Sequence, residues 1–223
     1  IVLILMGGGA FALTEEDKIC DAILEAWYPG QSGGTAVADV LYGDYNPAGR
    51  LPLTFYKSTK DMPAFRNYDM DGRTYRFFEG EPLYPFGYGL SYTSFSYKNF
   101  EIPKSINSSD SCEISVEVKN TGSLAGDEVI QVYVEDLESS VRTPIRSLQG
   151  FLRIHLKPGE KKTVKLSLTP KNLALLNQDM QWMVEPGQFR ISVGGGQPGA
   201  ECPTTQVLSK SINVTGDNYL INQ

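Results

Sequence analysis

The chain has 223 residues, 41% of them hydrophobic and 21% charged, with a formal net charge of -6. This is an ordinary globular composition, long enough for one or two domains, and it excludes a disordered chain. An acidic balance without a basic stripe also excludes nucleic acid as a partner, because neutralising phosphates drives that binding; neutral ligands such as sugars stay open.

Ile1 to Met6 is a bare apolar run followed by Gly7, Gly8 and Gly9. It is too short to span a bilayer and has no basic flank of the signal-peptide kind, so no membrane segment is expected. It reads as a buried parallel strand, which needs neighbours on both sides, and the expectation is that the chain begins inside a domain. Thr14 starts a predicted helix with Asp17 three positions on, a variant of the capping box, and with Glu15 and Glu16 at the positive helix end. Ile19, Ile23, Leu24 and Trp27 continue it at helical spacing until Pro29-Gly30. A second helix is predicted over Gly34–Tyr42, with Ala36, Val37, Val40 and Leu41 inward. Asn46-Pro47-Ala48-Gly49 is a turn and Leu51–Tyr56 a predicted strand. Strand, helix, helix, strand is α/β order, so residues 1–56 are expected to be the end of an α/β domain.

Residues 57–92 form a long irregular connection carrying Phe65, Tyr68, Tyr75, Phe77, Phe78, Tyr84, Phe86, Tyr88 and Tyr92. A stretch of this kind is expected to be an interdomain strap held by buried aromatics. From about Thr93 the pattern turns to alternation. Cys112, Ile114, Val116 and Val118 point inward, then Val164, Leu166 and Leu168, then Phe189, Ile191 and Val193; Val129–Val134 is apolar on both faces, as a central strand requires. Turns at Asn120-Thr121-Gly122, Lys157-Pro158-Gly159 and Glu185-Pro186-Gly187 separate them. Short strands at this spacing predict an antiparallel immunoglobulin-like sandwich.

Chemistry is harder to find. Cys20, Cys112 and Cys202 have neither CxxC spacing nor a histidine partner, so no zinc site is expected; free thiols and a Cys112–Cys202 bridge both remain open. The single histidine, His155, precedes a turn in the β-region and reads as a surface strand position, which leaves no triad and no histidine-based metal site. Asn67–Gly72 resembles the first half of a calcium loop, but the twelfth position is Phe78, and the segment reads as a polar turn. Gly7-Gly8-Gly9 lacks a following GxGxxG or Walker lysine. Hydrolysis by paired carboxylates needs two such groups facing each other, and among Asp17, Asp21, Asp39, Asp44, Asp61, Asp69, Asp71, Glu79 and Glu81 spacing singles out no pair.

Longer strings carry a resemblance. AWYPGQSGGTAVADVLYGDYNPAGRLPLTFY (Ala26–Tyr56), GRTYRF (Gly72–Phe77) and YPFGYGLSYTSFSY (Tyr84–Tyr97) are similar to glycoside hydrolase family 3. NTGSLAGDEVIQVYV (Asn120–Val134), GFLRIHLKPGEKKTV (Gly150–Val164) and VEPGQF (Val184–Phe189) resemble its fibronectin type III-like carboxy-terminal domain. The resemblance implies an α/β fragment, the end of an α/β sandwich domain, over residues 1–56. It implies an aromatic-rich strap over 57–92 and an all-β, fibronectin III-like sandwich over 93–223. In the family an Asp of an upstream TIM barrel is the nucleophile and a Glu, generally of the second domain, the acid/base. No residue here matches the nucleophile motif, so no catalytic residue is carried over. The implied activity is that of an exo-acting retaining β-xylosidase or β-glucosidase, taking terminal β-linked sugars in carbohydrate metabolism. It belongs to a complete protein, and this chain alone is expected to be inactive. The implied partners are a glycoside or oligosaccharide substrate and the upstream barrel and α/β domains, with no cofactor, no nucleic acid and no membrane, in a periplasmic or extracellular setting. Trp27, Tyr28, Tyr75 and Arg76 are the candidates for a substrate rim. Purely architectural packing is the competing role for this part, and a non-catalytic carbohydrate-binding or adhesion module is the alternative.

Overall fold

The computed structural model describes residues 1–221, and the fold is mostly β. In chain order the first elements are β1 (Val2–Leu5), α1 (Thr14–Ile19), β2 (Ala22–Glu25) and α2 (Gly33–Tyr42). After a short 3-10 turn comes α3 (Thr74–Phe77), then β3 (Phe95–Glu101), β4 (Ser105–Asn107), β5 (Cys112–Asn120), β6 (Gly126–Asp136), β7 (Ser147–Leu156) and β8 (Lys161–Leu168). The last elements are α4 (Pro170–Leu173), β9 (Leu175–Leu176), β10 (Trp182–Val184), β11 (Gly187–Gly194), β12 (Val207–Thr215) and β13 (Tyr219–Leu220).

β1 is a strand, as its apolar run predicts, but the long helix predicted after Thr14 is not formed. α1 stops at Ile19, and Ile23 and Leu24 lie in β2, which pairs parallel to β1 in the register Val2↔Ala22 to Leu5↔Glu25. Four apolar positions at helical spacing lose here to the backbone groups of β1, which β2 satisfies. Nor does Thr14 cap: the N-cap is Leu13, with no side-chain cap bond, and the Thr14 hydroxyl donates to Lys57 O at 2.7 Å. The second helix forms one residue early, at Gly33. Its predicted inner face is largely open, since Ala36 and Leu41 are exposed and only Gly33 is buried.

Leu51–Tyr56 is not a strand: it bends at Pro52 and Leu53, and Phe55 makes an isolated bridge with Tyr84. Leu51 N bonds Tyr88 O at 2.8 Å, Gly87 N bonds Leu51 O at 2.7 Å, and Phe55 N bonds Tyr84 O at 2.9 Å. Pro52, lacking an N–H, interrupts the ladder between these contacts. The strap is therefore laid along residues 51–55 by backbone pairing. Its aromatics divide: Tyr75 stacks on Phe86 (centroids 4.2 Å apart) and Tyr84 on Tyr88 (5.5 Å), whereas Phe65 and Tyr68 are 97% and 92% exposed. The expectation that the aromatics are buried fails for those two.

The remainder is a two-sheet sandwich. Sheet order β4-β12-β11-β6-β7 faces β3-β5-β8, and a small β13-β10-β9 sheet lies at one end. The predicted inward positions Ile114, Val116, Val118, Val164, Phe189, Ile191 and Val193 all join one core with Ile130, Val132 and Leu156. β6 lies between β11 and β7, the interior place that its two apolar faces predict. Cys20, Cys112 and Cys202 are free thiols.

β6 also presents its outer face to the strap. Gln131 Nε2 donates to Gly87 O at 3.0 Å and to Gly195 O at 3.1 Å, while Tyr133 OH donates to Gln131 Oε1 at 2.6 Å. Gly87 has φ +80°, and a Cβ there would run into Gln131 Oε1 and the Tyr133 hydroxyl. Gly87→Ala is thus expected to lower stability by about 2 kcal/mol or more, from left-handed backbone strain plus the collision, measured by urea denaturation.

Candidate functional site

A buried charged contact ties the amino-terminal segment to the sandwich. Glu128 continues the inward face of β6 by one step of two beyond Ile130, so its carboxylate is delivered into the dry end of the sandwich. Arg50, from the turn that follows α2, reaches it: Nη2 lies 3.3 Å from Glu128 Oε2, with side-chain exposures of 6% and 0%. Glu128 Oε1 accepts from both Tyr97 OH, at 3.0 Å, and Thr205 Oγ1, at 3.3 Å. The guanidinium also donates to Gly195 O (3.2 Å), Ala48 O (3.2 Å) and Gly49 O (3.1 Å). Burial pushes the Glu128 carboxyl above the usual carboxylate range against the opposing pull of Arg50 and Tyr97. Burial, followed by the adjacent Glu128 charge, drives the Tyr97 phenol well up. Asn46, four residues before Arg50, fastens the same turn, donating to Ala125 O at 3.0 Å and accepting from Tyr92 N at 2.8 Å.

Two cavities flank the strap residues Tyr84 and Tyr88. The first, about 370 Å³, runs between β2 with Trp27 on one side and Pro47, Arg50, Phe55 and the strap on the other. Its carboxylates are Asp17, Asp21 and Glu25. Asp17 accepts the Tyr84 hydroxyl. Glu25 Oε1 accepts Trp27 N at 2.8 Å, while its Oε2 is buried without a partner. Burial raises the Glu25 carboxyl above its ordinary value, outweighing the Trp27 N–H bond. Trp27 itself stands at φ +53°, a left-handed conformation uncommon for a bulky residue and of the kind found at ligand sites. The second cavity, about 910 Å³, is lined by Tyr75, Phe78, Glu79, Glu81, Arg146 and Gln197 among others. Aromatic faces beside carboxylate acceptors suit a polyhydroxylated ring, apolar on its faces and rich in donors at its edge.

Of the four rim candidates, Trp27 lines the first cavity and Tyr75 the second. Tyr28 is 80% exposed, Arg76 is exposed too, and neither lines these two cavities. Tyr75 is held rather than free, its hydroxyl accepting Leu148 N at 3.0 Å and its ring packing edge-on to Tyr133. The residues missed by reading the sequence are Arg50, Glu128 and Gln131. Glu128 and Gln131 had a signal: Glu128 precedes Ile130, Val132 and Val134 on one face of β6, and Gln131 stands between Val129 and Tyr133 on the other. The segment Asn67–Gly72 is a polar turn with Arg73 at its centre, where the guanidinium donates to Ala64 O (3.3 Å), Asn67 O (2.5 Å) and Asp69 O (3.0 Å).

Known proteins match this arrangement along nearly the whole chain. Residues 1–92 match the glycosyl hydrolase family 3 C-terminal domain and residues 128–197 a fibronectin type III-like domain. The chain belongs to glycoside hydrolase family 3. It forms the carboxy-terminal part of the enzymes of that family that it resembles. A periplasmic beta-glucosidase of Salmonella typhimurium is 43% identical over 207 residues, 87% of this chain and 27% of that protein. A xylan 1,4-beta-xylosidase of Xylanibacter ruminicola is 43% identical over 195 residues, 87% of this chain and 22% of that protein. The crystal structure of a beta-glucosidase from Listeria innocua in complex with glucose superposes with a TM-score of 0.83 at 33% identity, covering 97% of this chain and 31% of that one. This family 3 chain thus spans about a quarter of the length of the relatives it matches.

Two outcomes follow for the junction. Arg50→Ala leaves Glu128 unpaired in a dry site and is expected to cost about 3–5 kcal/mol, whereas the double replacement Arg50→Met with Glu128→Leu loses markedly less; urea midpoints of the three chains check the order. For Glu25 the folded value lies above the unfolded one. Its contribution to stability is therefore complete below the ordinary carboxylate range and is lost as pH rises through the raised value. Glu25→Gln is expected to flatten that decline in melting temperature as pH rises above the ordinary carboxylate value.

Proposed function

We propose that this chain is the carboxy-terminal portion of an exo-acting, retaining β-glycosidase that releases terminal β-linked glucose or xylose. The observation that carries the reading is the pair of relatives already described. A beta-glucosidase and a beta-xylosidase each match at 43% identity over 87% of the chain while extending well beyond it. In this reading residues 1–56 close an α/β sandwich domain, 57–92 are the connecting strap and 93–223 the fibronectin type III-like sandwich. The bond-breaking carboxylates come from the preceding barrel and α/β domains, and the setting is periplasmic or extracellular, as the name of the Salmonella relative suggests. Among the described residues no helix is long and apolar enough to cross a membrane.

Trp27, Tyr28, Tyr75 and Arg76 form the rim that this part lends to the sugar site, with Trp27 and Tyr75 as cavity walls and Tyr28 and Arg76 as exposed arms. Their support is the two aromatic-walled cavities and the left-handed Trp27. Aryl β-glucoside and β-xyloside assays test the whole reading. The 223 residues alone are expected to be inactive, and the same residues joined to the barrel and α/β domains of a family relative to be active. Turnover by the short chain would overturn it. In the joined enzyme Arg76→Ala is expected to raise KM for a disaccharide by about three- to tenfold with kcat little changed, the mark of lost binding rather than lost chemistry.

A further inference from the structure

The loop 137–146, between β6 and β7, is tied down at its base. Leu137 N bonds Gln188 O at 3.0 Å, Glu138 Oε2 accepts Gln188 N at 3.0 Å, and Ser140 N bonds Glu185 Oε2 at 2.9 Å, with the Ser140 hydroxyl on the other oxygen. Its far side does not face solvent alone; it grips the strap. Arg142 pairs with Asp71 and sets its guanidinium 5.3 Å above the centre of the Phe77 ring. Ile145 N bonds Arg76 O at 2.7 Å, and just beyond the loop Leu148 N bonds the Tyr75 hydroxyl at 3.0 Å.

The gripped segment is one that would not hold itself. Thr74 stands at φ +56°, a strained value for a β-branched residue, and α3 is a single four-residue turn. Upstream, Arg73 gathers the carbonyls of residues 64, 67 and 69 into a compact loop that carries Phe65 and Tyr68 outward. Where that loop and the Arg76 side chain stand depends on what fixes residues 71–77. Thr74 N bonding Tyr56 OH at 2.8 Å supplies one anchor from the amino-terminal side. Tyr75 stacked on Phe86 supplies another from within the strap, and the sandwich adds the contacts of its loop.

We infer that Arg142 is a positioning residue, through which the loop 137–146 of the fibronectin type III-like sandwich holds strap residues 71–77, and with them the Arg76 arm, in one place. The sandwich then acts on the sugar site at a distance rather than merely covering the flank of the α/β domain. This rests on the proposed rim for its kinetic consequence, though not for its structural one. Because Arg142 and Asp71 are 56% and 58% exposed, their pairing adds little to global stability, so local order and overall folding can be separated.

Amide hydrogen exchange on the 223-residue chain reads the structural part. Arg142→Ala is expected to speed exchange of the strap amides over residues 71–78 about tenfold while the core strands β5, β6 and β11 are unchanged, and Arg142→Lys to restore much of the protection. Asp71→Asn, which leaves the sandwich untouched, is expected to reproduce the acceleration and guards against a folding defect in the first variant. Strap exchange unchanged in both Arg142→Ala and Asp71→Asn would overturn the inference. In the joined enzyme Arg142→Ala is expected to raise disaccharide KM by about three- to tenfold with aryl-glycoside kcat preserved. Faster exchange with unchanged KM, in a protein where Arg76→Ala is also silent, would sink the rim reading and leave the positioning role standing.

Discussion

A carboxylate and a guanidinium facing each other in a dry junction set the terms for the rest of this structure. Glu128 cannot stay charged at the end of the sandwich core without a partner, since moving an ion out of water costs several kcal/mol that only a close counter-charge and further hydrogen bonds offset. Arg50 provides that charge, and Tyr97 and Thr205 fill the remaining acceptor positions. The pair does not so much add stability as forbid alternatives, because the turn carrying Arg50 cannot swing away without stranding both ions. Gln131, on the opposite face of the same strand, works in the same way with neutral chemistry, its amide spanning Gly87 O and Gly195 O. One strand thus fixes the turn after α2 through one face and the strap through the other.

With these contacts the sandwich is more than a passive cover. Glu128, Gln131 and the Arg142 loop reach the turn after α2, the carboxy-terminal part of the strap and its middle. The two cavities lie along that same line, parted by the stacked rings of Tyr84 and Tyr88. A displacement of the strap would reshape both. Geometry of this kind is costly to lose: a shift on the order of 1 Å in a positioning group can reduce turnover by about a hundredfold.

Two non-glycine residues with left-handed backbone, Trp27 and Thr74, sit where that geometry is set, one at the wall of the first cavity and one at the start of α3. Each is held by a specific bond from its own N–H, to Glu25 Oε1 and to Tyr56 OH respectively. Strain of about 1–3 kcal/mol per residue persists only where the surroundings over-determine it, and here they include the Glu25 carboxylate and the Tyr56 phenol.

The sequence by itself determined the sandwich. Its strands alternate cleanly, because one face of each must be dry and the other wet, and that period of two is visible without any partner. It also showed the family, through long strings rather than through any single chemical group. Periodicity could not determine the fate of Ile23 and Leu24, whose spacing suits a helix but whose backbone completes a sheet with β1, nor that of Leu51–Tyr56, which bends at Pro52 where composition suggests a strand. Nor could it reveal that Arg50 meets Glu128, 78 positions away, or that Arg142 stands over Phe77. Those pairings depend on which surfaces the chain brings together after folding. Local pattern records whether a side chain wants to be buried; only tertiary packing decides against what.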